Sequence, residues 1–184
     1  MTPINRAASP SPSSDVQPGK QCAVDYPDAK HYRTAEDFFA DPAIEFVIVC
    51  TGHDTHAEFA EEALLARKHV AVEKPFTIST EEADCVIAAS QKSGKILTVF
   101  QSLRYDSDFL TLRDLVFRSV FGNLTEVEIH YDFDFPTWIA SWTSPKCSPG
   151  QEMLFGLGSH TIDQALTLFA IQHHGIPPIP PRSG

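Results

Sequence analysis

The sequence predicts an α/β fold: a partial parallel sheet with helices between its strands, followed by the start of an α+β domain with an open sheet. Three observations predict it. Apolar, β-branched runs recur about every 25 residues, as successive strands of a parallel sheet do. Helical patterns with capping residues fill the gaps between them. After residue 120 the pattern changes to strict apolar–polar alternation, the mark of a sheet that is dry on one face only.

Each element follows in order. Thr34 can N-cap a short helix, with Asp37 three residues on as in a capping box. Ile44–Cys50 is a continuous apolar run, the pattern of a strand buried on both faces. Ala57–Arg67 reads as a helix with Phe59, Ala60, Ala63 and Leu64 on one face. His69–Glu73 is a second strand. Ser79 or Thr80 caps a helix over 81–93, and Gly94 ends it. Lys95–Phe100 is a third strand. Asp108–Ser119 is a helix and Gly122-Asn123 a turn. From Glu126 to Phe135, Val127, Ile129, Tyr131, Phe133 and Phe135 alternate with polar residues, predicting a strand. Ser159–Ala170 is a last helix, with Ile162, Ala165, Leu166 and Phe169 at helical spacing.

Composition bounds the function. The chain has 184 residues and a formal net charge of −10. That charge argues against nucleic acid, whose phosphates need clustered Lys and Arg, and against an anionic membrane surface. No run of 18 apolar residues occurs, so no membrane span is expected. Cys22, Cys50, Cys85 and Cys147 form no CxxC pair, which fits buried, reduced thiols in a cytoplasmic protein. Eight of the 14 prolines lie in residues 1–20 and 176–184. Such segments bury too little apolar surface to offset the entropy of ordering. The expected organisation is therefore a disordered tail over 1–22, a parallel α/β domain over 23–120, a partial second domain over 121–170 and a Pro-rich tail over 171–184.

Ligands of parallel sheets sit beyond the carboxyl ends of the strands. That rule selects Thr51–His56, Glu73–Phe76 and Gln101–Asp106. A Lys at the end of a buried strand can have its pKa lowered by desolvation, which suits Lys74 to proton transfer; Glu73 can orient it, and Pro75 can take the cis form. His53 and His56 invite a metal reading, but no further ligand stands at a zinc-motif spacing, so no metal is expected. His56 starts a helix that Asp54 or Thr55 can cap. The stretch Gly156-Leu-Gly-Ser-His160-Thr-Ile-Asp163 puts a His and an Asp at another helix start; His160 reads either as an acid/base group or as a buried, hydrogen-bonded residue.

These residues together resemble the Gfo/Idh/MocA oxidoreductases, which include glucose–fructose oxidoreductase and inositol dehydrogenase. The resemblance runs from Tyr26 to Ala170. It rests on Tyr26-Pro27-Asp28-Ala29, Asp41-Pro42-x-Ile44, Val47-Ile48-Val49-Cys50-Thr51 with His56, Lys68-His69-Val70 and Glu73-Lys74-Pro75. It continues through Gln101-x-x-Arg104 with Asp108-Phe109, Gly122-Asn123-Leu124 and Gly158-Ser159-His160. It implies a Rossmann domain, then an open-sheet domain whose face often mediates homo-oligomers. It also implies NAD- or NADP-dependent hydride transfer at the hydroxyl-bearing carbon of a sugar or polyol. By position, Lys74 and His160 would be catalytic. Thr51, His56, Glu73, Lys74, Pro75 and Gln101 would line the cofactor, and Arg104 and Asp163 would meet the substrate. The sequence departs from the family at three points: it contains no GxGxxG, Gly52 replaces the Pro of a Thr-Pro pair, and Gly156 replaces an Asp four residues before the His. The expectation is a chain cut into both domains, with a non-catalytic fragment or a protein-interaction or regulatory relative as the alternative.

Overall fold

The structure, a computed structural model, describes residues 6–7, 24–132, 150 and 152–169. The chain forms two compact units: residues 1–100 with 148–150, and residues 101–147 with 151–184. The change of pattern near residue 120 falls inside the second.

In the first unit, strand β1 (Arg6–Ala7) pairs in parallel with β2 (His31–Tyr32). This pairing lies within a segment expected to be disordered. The open edge of β2 offers backbone partners that need no apolar side chains. Helix α1 (Ala35–Ala40) starts as expected: Thr34 is extended, and its hydroxyl accepts the Asp37 N–H at 3.1 Å. Phe38 and Phe39 carry α1 into the core.

Three strands then build the sheet. They are β3 (Phe46–Val49), β4 (His69–Glu73) and β5 (Leu97–Phe100), in that spatial order and all parallel. The register sets Val47 beside Val70 and Val70 beside Leu97, then Val49 beside Val72 and Val72 beside Val99. Helices α2 (His56–Leu65) and α3 (Thr80–Ser93) connect them. Ala60, Ala63 and Leu64 of α2 and Val86 and Ala89 of α3 join the inward valines in one buried cluster. The α3 caps follow the sequence expectation. Ser79 accepts the Glu82 N–H at 3.2 Å, and Gly94 closes the helix at φ +66°, a conformation open to glycine without steric cost.

Two expectations for this unit need correction. β3 is not buried on both faces. Phe46 is 51% exposed and Ile48 60%, and on the same face Phe100 is 50% exposed. Period two sends alternate residues to opposite faces, and among the described residues only the face under Val47 and Val49 is covered. Nor are the thiols buried: Cys50 and Cys85 are exposed and outside any disulfide. Cys50 lies beyond the last paired residue of β3, and Cys85 points away from the buried side of α3. Cys22 and Cys147 lie outside the described residues.

The second unit is helical in its described part. A 3₁₀ turn (Ser102–Tyr105) leads into α4 (Ser107–Phe117), and a π-helical turn (Leu154–Gly158) leads into α5 (Ser159–Phe169). The strand expected from Glu126 does not form a ladder over 126–132. The alternation survives in burial, with Ile129 and Tyr131 less exposed than their neighbours. A strand needs a partner to satisfy its backbone, and none is described in this unit. Residues 133–135 of that expected strand lie outside the described residues, as does the Pro-rich tail. The α5 stripe of Ile162, Leu166 and Phe169 is exposed, while His160, Thr167 and Leu168 are buried. No described helix is long and apolar enough to cross a membrane.

Candidate functional site

The first unit gathers its candidate residues at the carboxyl ends of β3 and β4. Thr51 follows β3, and its hydroxyl lies 2.7 Å from that of Thr55. Thr55 precedes α2 but makes no capping bond; its hydroxyl turns back toward Thr51 and the Gly52 carbonyl. Gly52 sits at φ −64°, ψ 147°, dihedrals open to the proline it replaces.

His56, the first residue of α2, is 1% exposed. Its Nδ1 is 2.7 Å from the Pro75 carbonyl and its Nε2 3.3 Å from the Thr51 carbonyl. Burial lowers its pKa, helped by the charge of His53 and opposed by the two carbonyls and Glu73. A neutral ring carries one N–H, and the shorter contact assigns it to Nδ1. His56 therefore ties the loop after β3 to the turn after β4. That turn carries Glu73-Lys74-Pro75, with a cis Lys74–Pro75 bond. A Glu73 carboxylate oxygen accepts the Lys74 backbone N–H at 3.1 Å. Burial lowers the pKa of the Lys74 ammonium, and the Glu73 charge opposes the shift. The resulting group is closer to neutral than a surface lysine and can exchange a proton more readily near pH 7.

An open cleft of about 230 Å³ lies among Thr51, His53, His56, Glu73 and Lys74. A larger hollow of about 370 Å³ lies near Lys68, His69 and Lys95, at the amino ends of the strands. The ligand rule for parallel sheets favours the smaller one. Sequence reasoning missed a contact made by one of its lining residues, His53. Gly150 accepts from His53 Nδ1, at 2.5 Å, and sits at φ +81°. A Cβ there would lie 2.1 Å from Ile78 Cγ2, so only glycine fits. The signal was the Pro149-Gly150 dipeptide, a turn marker far away in sequence. Among the described residues no group of three or more His, Cys, Asp or Glu is placed to hold a metal.

The second unit holds the other four candidates. Gln101 directly follows β5; its Oε1 is buried and accepts no hydrogen bond from a described residue. Arg104, in the 3₁₀ turn, grips Asp163 of α5 with two prongs: Nε to Oδ2 at 2.7 Å, and Nη2 to Oδ1. Asp163 raises the pKa of Arg104 against the opposing effect of burial. His160 is 6% exposed and lies one turn before Asp163.

Comparison with known proteins fixes the family. The model of the oxidoreductase family's NAD-binding Rossmann fold matches residues 13–101, and that of its C-terminal domain matches 109–173. The chain belongs to the Gfo/Idh/MocA oxidoreductase family. The oxidoreductase YdgJ of Escherichia coli is 35% identical over 84% of this chain and 47% of its own length. The scyllo-inositol 2-dehydrogenase (NADP(+)) IolW of Bacillus subtilis is 36% identical over 80% of this chain and 41% of its own. A solved oxidoreductase structure from Bacillus subtilis superposes with a TM-score of 0.73 at 32% identity, covering 84% of this chain and 42% of that one. The chain spans less than half the length of the curated relatives it matches.

The family's nicotinamide cofactor can be tested against these residues. Thr51, Glu73 and Lys74 of the first unit offer hydroxyl, carboxylate and amine groups at the cleft, donors and acceptors that fit the polar head of such a cofactor. No described residues form the glycine-rich phosphate turn, and the sequence contains no GxGxxG.

Proposed function

We propose that these residues serve an NAD(P)-dependent dehydrogenase reaction at the hydroxyl-bearing carbon of a sugar or polyol. The observation that carries this reading is Lys74: half-buried at the end of a parallel strand, held below its ordinary pKa, beside a polar cleft. The cofactor, when bound, accepts the hydride. Lys74 holds the reacting hydroxyl and lowers the cost of its deprotonation. His160 receives the proton in this reading, the role its family resemblance implies. Thr51, Glu73, Pro75 and Gln101 line the cofactor head. His56, 1% exposed at the edge of the cleft and bonded to two carbonyls, holds that lining in place. The polyol class is supported by the inositol dehydrogenases among the relatives.

A titration with NADH and NADPH, followed by tryptophan fluorescence, tests the reading. With no GxGxxG in the sequence, saturable binding weaker than micromolar is expected, and Lys74→Met weakens it further. Binding indifferent to Lys74→Met overturns it.

One observation favours a second reading, a regulatory or protein-interaction relative. Gly156 stands where the family commonly places an Asp, four residues before the His. Binding of NAD(P)H without any turnover of a polyol panel would favour it.

A further inference from the structure

Arg104 and Asp163 stand where substrate ligands were expected, and their charges are spent on each other. The guanidinium meets both carboxylate oxygens in a fork-to-fork pair, the geometry that gives such a pair its strength and directionality. The Asp163 side chain is 11% exposed and that of Arg104 42%. The pair joins two particular elements. One is the 3₁₀ turn that directly follows Gln101; the other is the first turn and a half of α5.

His160 lies on the same helix. Residues three apart on a helix share a face, with Cβ atoms about 5–6 Å apart. A two-pronged grip on Asp163 therefore fixes both the rotation of α5 about its axis and its height along it. His160 is carried with both. Among the described residues, Thr167 and Leu168 are the other buried residues of the helix, and its apolar stripe is exposed. A second brace comes from Tyr131, whose hydroxyl donates to Gln164 Oε1 at 3.3 Å.

We infer that Arg104 and Asp163 are positioning residues that set the orientation of His160, and not substrate ligands. What that orientation is for rests on the dehydrogenase reading above; the orientation itself does not. Arg104→Lys keeps the charge and loses the fork, so lysine does not replace arginine here.

The test uses the full chain labelled with ¹⁵N. Long-range ¹H–¹⁵N spectra report each imidazole, with His160→Gln identifying the signal. The wild type is expected to give one sharp His160 signal. Arg104→Met, Arg104→Lys and Asp163→Asn are each expected to broaden or double it, leaving the signals of His53 and His69 in the first unit unchanged. An unchanged His160 signal in Arg104→Met overturns the inference. So does collapse of every imidazole signal in all three variants, which would make the pair a support of the whole fold. Addition of myo-inositol forms the third arm. If Arg104→Met abolishes its effect on the spectrum while His160 alone is undisturbed, the pair is a substrate ligand and the inference fails. None of these readouts needs nucleotide or turnover, so their failure is distinct from failure of the nucleotide titration.

Discussion

The two faces of the three-stranded sheet carry similar residues and meet different fates. On one face Val47, Val49, Val70 and Val72 are packed under α2 and α3. On the other, Phe46, Ile48 and Phe100 are at least half exposed. Both faces carry large apolar side chains because β3 is a continuous apolar run, as strands of parallel sheets covered on both sides are. Hydrophobicity states what a face can bury. A helix must cross it before burial stabilises anything.

The largest effect expected from this contrast comes from the covered face. Leu64→Ala, at a fully buried α2 position, is expected to destabilise the chain by about 2–5 kcal/mol, measured as a shift of the urea midpoint. A loss within experimental error would mean that α2 is not packed on the sheet. A smaller effect comes from His56 on the same side. Its folded pKa is lowered from the ordinary 6.5, so below that pH the unfolded chain takes up the proton first. Its contribution is full above pH 6.5 and is lost as pH falls toward the lowered value. Urea melts at pH 7.5 and 5.5 check this: the wild type weakens at the lower pH, and His56→Asn weakens less. The smallest effect belongs to the bare face. Ile48→Thr keeps the β-branch that suits a strand and removes exposed apolar surface, so stability stays within about 0.5 kcal/mol. A larger loss would show that something covers Ile48 in solution.

Much of the fold was legible because local rules acted alone. Thr34, Ser79 and Gly94 cap where short-range chemistry requires, and β4 spans the residues its pattern marked. The segment 126–132 was misread for the opposite reason. Alternation describes a strand's faces, but a ladder needs a neighbour that the pattern does not contain. Part of the site was legible in the same way: Thr51, Glu73 and Lys74 follow apolar runs, and the end of a parallel strand is where ligands sit. The His53–Gly150 contact and the Arg104–Asp163 pair were not, because they join residues 97 and 59 positions apart.

The sequence by itself determined the helices, the three parallel strands β3 to β5 and the residues that end on the cleft side. These follow from periodicity, caps and connection length, all of which act within a few turns of chain. Only the tertiary structure decided which sheet face is covered, where the partners of His56 and His53 lie, and that the charges of Arg104 and Asp163 are spent on each other. Those outcomes depend on which distant groups meet, and a charge or an apolar side chain has no fixed role until its neighbour is in place.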